Sequence, residues 1–153
     1  YDYNENLIDK IFSKINDNFI KNGYQLIFIP SMRTPAKIIE KAQKYFSSDE
    51  IIIDNIDKKA YLSALQLARH IVVMCDSTSM ISEAAMTGKP IYVAQMRPIK
   101  ENKRFESFFK LFKSLNIIKD LENTIEEWRY EKLYETDKVS SYIKNKIKDY
   151  DFS

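Results

Sequence analysis

Ile71-Val72-Val73-Met74-Cys75-Asp76-Ser77-Thr78-Ser79-Met80-Ile81-Ser82-Glu83-Ala84-Ala85-Met86-Thr87-Gly88-Lys89-Pro90-Ile91-Tyr92-Val93-Ala94 reads as strand, polar turn, short helix, Gly-Pro stop and strand. Its first five residues form an apolar, β-rich run without alternation, the pattern of a strand buried on both faces. Asp76, Ser77, Thr78 and Ser79 crowd one turn with side chains that cap helices, and the helix is expected to start near Met80. Small Ala84 and Ala85 let that helix lie close against a sheet. Gly88 supplies the left-handed residue that ends helices, and Pro90 prevents continuation. Such a unit sets amides and hydroxyls at the carboxyl end of a parallel sheet, where α/β proteins hold phosphate-bearing ligands.

Outward from this unit the chain alternates. Asn4 to Asn22 carries Leu7, Ile8, Ile11, Phe12, Ile15, Phe19 and Ile20 on helical spacing, and Gly23 stops it. Tyr24 to Ile29 reads as a strand ending at Pro30. Thr34-Pro35 opens a second helix, with Thr34 as its expected cap, running to about Phe46. Glu50 to Asp54 gives a third apolar strand. A helix starting at Asp57 or Lys58 ends near Arg69. Beyond Val93 comes a charged loop, Arg97 to Arg104, then an amphipathic helix through Phe105, Phe108, Phe109, Leu111, Phe112 and Leu115. Asn116 to Ile118 reads as a short edge strand. Glu126 to Tyr134 is irregular or weakly helical, and Lys138 to Tyr150 forms a last charged helix. Short connections between alternating helices and strands predict an α/β, Rossmann-like parallel sheet with helices on both faces.

Composition narrows the function classes. The 153 residues fit one domain, 1–153, with 44% hydrophobic and 30% charged residues. A formal charge of +2 is no electrostatic footprint for nucleic acid. One cysteine leaves no partner for an internal disulfide and no spacing for a Cys-based zinc site, so a reducing, cytoplasmic setting is expected. No apolar run reaches a membrane span, and the first residues carry no signal-peptide pattern. Only two glycines occur, and the GxGxxG fingerprint and Walker loop are both absent.

The candidate site residues carry two readings each. Ser77 and Ser79 can cap the following helix, but with Thr78 they offer more hydroxyls than one cap needs, and a diphosphate is the natural additional guest. Glu83 can complement the helix dipole. It lies four residues after Ser79, one too many for a capping box, and a carboxylate suits a vicinal diol because it offers two acceptors and no donor. Arg33 follows a strand end and precedes a helix start, so it belongs to the same rim, where a guanidinium forks onto phosphate or is merely solvated. Asp76 is read as a cap or sheet-end acceptor and Cys75 as a small core residue. His70, the one histidine, precedes a strand at the end away from the ligand rim. The Phe105, Phe108, Phe109 and Phe112 stripe is core packing, and Lys144, Lys146 and Lys148 form a solvated helix face.

Ser31-Met32-Arg33-Thr34-Pro35, the run Asp76-Ser77-Thr78-Ser79-Met80-Ile81-Ser82-Glu83-Ala84 and Thr87-Gly88-Lys89-Pro90 resemble the bacterial relatives of the mitochondrial-fission Elm family. Those proteins are often labelled nucleoside-diphosphate-sugar epimerases, and the family is similar to two-domain GT-B glycosyltransferases and to UDP-N-acetylglucosamine 2-epimerases. The resemblance covers roughly Gly23 to Phe109. It implies that the chain is the C-terminal, donor-nucleotide-binding half. The N-terminal domain with the acceptor site and the usual general base then lies outside it, as do the strand and Gly-rich turn placed before the first helix. By the same resemblance Ser79 and the amides after it, Met80 included, hold phosphate beside the Ser77 and Thr78 hydroxyls, Glu83 holds the ribose hydroxyls, Arg33 a phosphate, and Asn55 and Ile56 the base through backbone atoms. The basic loop residues Arg97, Lys100, Lys103 and Arg104 read as solvated surface, the alternative being that Lys103 or Arg97 reaches the donor sugar or its phosphates. The expected partner is a nucleotide-sugar, with no cofactor, no metal and no nucleic acid, and with peripheral membrane association of the full-length protein. No catalytic residue is assigned. Three readings compete: the donor half of a metal-independent glycosyltransferase, an epimerase on the same scaffold, or a non-catalytic scaffold with a relic pocket.

Overall fold

Asn4 starts the first helix. Its side chain accepts from the amides of Asn6 and Leu7 at 2.9 and 3.3 Å, satisfying donors that a helix start leaves orphaned. The computed structural model describes residues 3–96, 100–122 and 124–132. They divide into two compact units, Asn4–Leu67 with a short stretch around Glu122, and Tyr3 with Ala68–Leu121 and the stretch from Glu126 onward.

In the first unit, α1 (Glu5–Asn18) buries Ile8, Ile11 and Phe12. A short 3-10 turn (Ile20–Asn22) follows, and Gly23 ends it at φ +91°, a conformation open to glycine without strain. Phe12 meets the rings of Tyr45 and Phe46 at 5.6 and 5.1 Å, which centres an aromatic core on this helix. Burying a side chain of this size stabilises the unit by roughly 1.5–3 kcal/mol. Strands β1 (Ile27–Phe28) and β2 (Ile51–Ile52) pair in parallel, Ile27 opposite Ile51. Both are shorter than the runs Tyr24 to Ile29 and Glu50 to Asp54 predicted, because side chains and prolines take over from the ladder. The Glu50 carboxylate accepts the Leu26 amide, and Pro30 has no amide to contribute. Helix α2 (Ala36–Tyr45) buries Ile38 and Ala42. Its N-cap is Pro35, not Thr34; the Thr34 hydroxyl accepts the Ser31 amide at 3.0 Å and closes the preceding turn. Helix α3 (Lys58–Leu67) starts where Asp57 accepts the Ala60 amide, and none of its residues is buried.

In the second unit, β3 (Ile71–Met74), β4 (Ile91–Ala94) and β5 (Ile118–Asp120) form a parallel sheet in that order, with Ile71 opposite Ile91 and Ile91 opposite Ile118. All four β4 residues are buried, as a central strand requires. β3 buries only Ile71 and Val73 and leaves Val72 and Met74 half-buried, so its expected double burial holds on one face only. It is one edge of this three-stranded sheet, β5 being the other. Helix α4 (Thr78–Ala85) packs Ile81, Ala84 and Ala85 out of solvent, and Gly88 at φ +73° turns the chain into β4. Helix α5 (Lys103–Ser114) is capped by Asn102 and buries Phe108 and Phe112, whose rings stack at 4.2 Å. The stretch 126–132 has no regular structure; the charged helix expected at Lys138 to Tyr150 lies outside the described residues. Parallel strands and, among the described residues, five α-helices make the fold α/β and Rossmann-like.

Candidate functional site

The carboxyl end of β3 carries the hydroxyl-rich turn. Cys75 closes the strand from inside: it is fully buried, its Sγ accepts the Met96 amide at 3.2 Å, and burial pushes its thiol up to about 11. A thiol held that high is a core residue and not a nucleophile at neutral pH. Asp76 follows, 7% exposed, accepting from the Tyr3 hydroxyl and, at 3.4 Å, from the Ser77 hydroxyl. It is therefore the sheet-end acceptor that its sequence position suggested.

Helix α4 then begins at Thr78, two residues before the expected Met80, with Ser77 as its N-cap. The Ser77 side chain makes no capping bond. The first intrahelical bond of α4 runs from the Ile81 amide to the Ser77 carbonyl at 3.0 Å. Ser79 is buried and Glu83 half-buried, and their spacing of four sets them one turn apart on one face of α4. Thr78 and Ser82 are buried too, Ser82 donating to the Thr78 carbonyl at 2.9 Å. Ser77, Thr78, Ser79, Met80 and Glu83 are thus one local constellation on a single helix.

The other expected residues lie elsewhere in the chain's architecture. Arg33 and Ile56 belong to the unit of α1–α3; both are exposed, and the Arg33 amide donates to the Ser31 hydroxyl at 3.3 Å. Lys103 is the exposed first residue of α5 and no part of a loop, because Asn102 accepts the Arg104 amide and starts the helix there. Arg97 lies outside the described residues. Among the described residues, no group of three or more His, Cys, Asp or Glu could hold a metal ion.

The sequence reading missed the opposite end of the same sheet. There the stretch 126–132 runs past the amino ends of all three strands. Glu127 meets Arg69 at 3.3 Å and His70 at 3.1 Å ahead of β3. Tyr130 donates its phenol to the Lys89 carbonyl ahead of β4, and Trp128 donates to the Asn116 carbonyl at 2.8 Å ahead of β5. Tyr92, 1% exposed, exchanges two hydrogen bonds with the Glu126 backbone and meets the Trp128 ring at 5.1 Å. Burial lowers the His70 pKa against the pull of Glu127 and pushes the Tyr130 phenol up. A lone tryptophan and a tyrosine in an otherwise irregular stretch were the available signal.

The family model for mitochondrial fission ELM1 matches residues 1–147. The chain belongs to that family. Over 97% of its length it is 28% identical to an uncharacterized protein of Rickettsia prowazekii (strain Madrid E), covering 44% of that protein. Over 76% of its length it is 28% identical to the mitochondrial fission protein ELM1 of Arabidopsis thaliana, covering 28% of it. The chain thus spans less than half the length of these curated relatives. No solved structure matches it significantly. In this ELM1-family chain no helix among the described residues is long and apolar enough to cross a membrane.

Proposed function

We propose that this chain is the nucleotide-binding half of a GT-B-like glycosyltransferase, with the first turn of α4 seating the diphosphate of a nucleotide-sugar and Glu83 gripping the ribose. One observation carries the reading: α4 starts at the carboxyl end of a parallel strand with its N-cap serine turned off the helix, and its one carboxylate stands a turn behind Ser79. First-turn amides and the positive end of the helix dipole suit a diphosphate, although the dipole alone supplies only about 0.3–1 kcal/mol. In a transfer reaction the same groups stabilise the departing nucleoside diphosphate, which gains charge as the sugar leaves. The acceptor and a general base come from a longer protein of the length its relatives have. An epimerase of the 2-epimerase type is less well supported, because it calls for a histidine at the sugar. The one histidine here precedes β3 and is bonded to Glu127.

Titrating UDP, GDP, CDP and ADP while following the amide shifts of Ser77 to Glu83 tests this reading. A response confined to those residues is expected. No response to any nucleotide at millimolar concentration, where binding is worth about 4 kcal/mol, would instead favour a non-catalytic scaffold with a relic pocket. Glu83→Ala should weaken a nucleoside diphosphate by tenfold or more, the loss of about 1.5–3 kcal/mol in hydrogen bonds to a charged group, and leave inorganic pyrophosphate nearly unchanged. Equal losses for both ligands contradict the ribose role. Arg33→Ala and Lys103→Ala, measured against the same ligands, read whether either side chain contributes.

A further inference from the structure

β4 ends at Ala94, opposite Met74 of β3, so Gln95 leaves the central strand beside Cys75, just before the turn that opens α4. The Cys75 amide donates to the Ala94 carbonyl at 3.1 Å and keeps the two chains in step to that point. The order β3-β4-β5 advances one way across the sheet, and right-handed crossovers then set α4 and α5 on one face of it. Gln95 lies two residues beyond Val93, which pairs with Asp120, so Gln95 and Asp120 project from the same face. That face is the helix side, because Lys113 of α5 meets Asp120 there.

The three side chains form a relay. Lys113 Nζ donates to Asp120 Oδ2 at 2.9 Å, and Gln95 Nε2 donates to Asp120 Oδ1 at 2.9 Å. An ion-paired carboxylate only accepts, so the glutamine must present its NH2 group to it. The carboxamide of Gln95 is thereby held one way round, with Oε1 turned away from Asp120, and the residue is exposed. Lys113 also offsets the Asp120 charge, which would otherwise repel an anion at this rim.

We propose that Gln95 is a specificity-determining residue whose outward carboxamide oxygen accepts from a hydroxyl of the transferred sugar, with Asp120 as the positioning residue that orients it. The assignment rests on the nucleotide-sugar reading of α4. Within that reading the diphosphate offers acceptors only, Glu83 claims the ribose hydroxyls, and the base lies beyond the ribose. The sugar is then the group next to the diphosphate that still has donors to give.

Titrating UDP, GDP, CDP and ADP beside their glucose conjugates tests the assignment, with the Gln95 side-chain amide followed by NMR. In the chain alone, one Nε2 proton should be shifted downfield by its bond to Asp120, and Asp120→Ala should abolish the shift. A Gln95 amide signal indifferent to Asp120→Ala overturns the positioning role. Gln95→Met should weaken a glucose conjugate about fivefold, the equivalent of one neutral hydrogen bond worth about 1 kcal/mol, and leave the matching nucleoside diphosphate unchanged. Asp120→Ala should weaken the conjugate selectively as well, whereas a merely structural residue would move both ligands together. Equal losses for the two ligands in Gln95→Met, or no loss for the conjugate, overturn the role of Gln95 and leave the nucleotide reading standing. Wild-type chain that binds neither kind of ligand removes that reading and this assignment together. Gln95 is exposed, so Gln95→Met decides the matter even if Asp120→Ala does not fold.

Discussion

The two ends of the β3–β4–β5 sheet are built to opposite rules. At the amino end, a residue one or two positions ahead of each strand is taken: His70 by Glu127, the Lys89 carbonyl by Tyr130 and the Asn116 carbonyl by Trp128. Long aromatic side chains and ion pairs close that edge. At the carboxyl end of β3 stand short hydroxyls, a buried carboxylate and the start of α4. Large side chains exclude water and ligands alike, while short ones leave backbone amides within reach of both. The contrast gives the amino edge the clasp and leaves the carboxyl edge for the recognition proposed above, where α/β proteins generally place their ligand sites.

The sharpest way to break that division is to cut the amino-end clasp. Tyr92→Ala should cost about 3–5 kcal/mol, the range for emptying a large aromatic site in a core. It also removes both bonds to Glu126, so emission from Trp128, the only tryptophan, should shift to the red as the ring enters water. Thermal unfolding together with fluorescence measures it. A loss below about 1 kcal/mol, against the usual size for such a site, would mean that the clasp is ornamental and the comparison wrong. Tyr130→Phe is milder. Deleting one hydrogen bond to the Lys89 carbonyl should cost about 0.5–1.5 kcal/mol and leave nucleotide-induced shifts at α4 unchanged.

The same contrast explains what the sequence made legible. Local devices were readable: Asn4 starts the first helix, Gly23 ends the 3-10 turn that follows it, Gly88 ends the turn after α4, and the Phe108–Phe112 stack follows from a four-residue spacing. The α4 constellation was readable for the same reason, since Ser77 to Glu83 lie within one short segment. Competition between neighbours was not. The length of β1 depended on Glu50 diverting the Leu26 amide. Tyr3 reaches Asp76 across 73 positions, and Glu127 reaches His70 across 57. No periodicity encodes such pairs, because each depends on where the backbone has already gone.

The smallest expected effect separates the two edges by pH. Burial lowers the His70 pKa below its ordinary value of 6.5. Arg69 acts in the same direction, and Glu127 opposes both without overcoming them. The unfolded chain therefore takes up a proton at His70 before the folded chain does. Between the ordinary value and the lowered one the unfolded state binds more protons, so stability falls as the pH falls through that window. It is complete above about pH 6.5, set by the unfolded histidine, and loses nothing further from this group once the folded histidine is also charged. Denaturant midpoints taken at half-unit steps from pH 7.5 to 5 should show this loss, and His70→Gln should flatten it. The Trp128 emission should register the change, because Glu127 is its chain neighbour, whereas amide hydrogen exchange at Met80 in α4 should not. An unaltered pH slope in His70→Gln would remove the histidine from the clasp. A pH response appearing at Met80 would show the two edges coupled, and the division of labour between them would have to be abandoned.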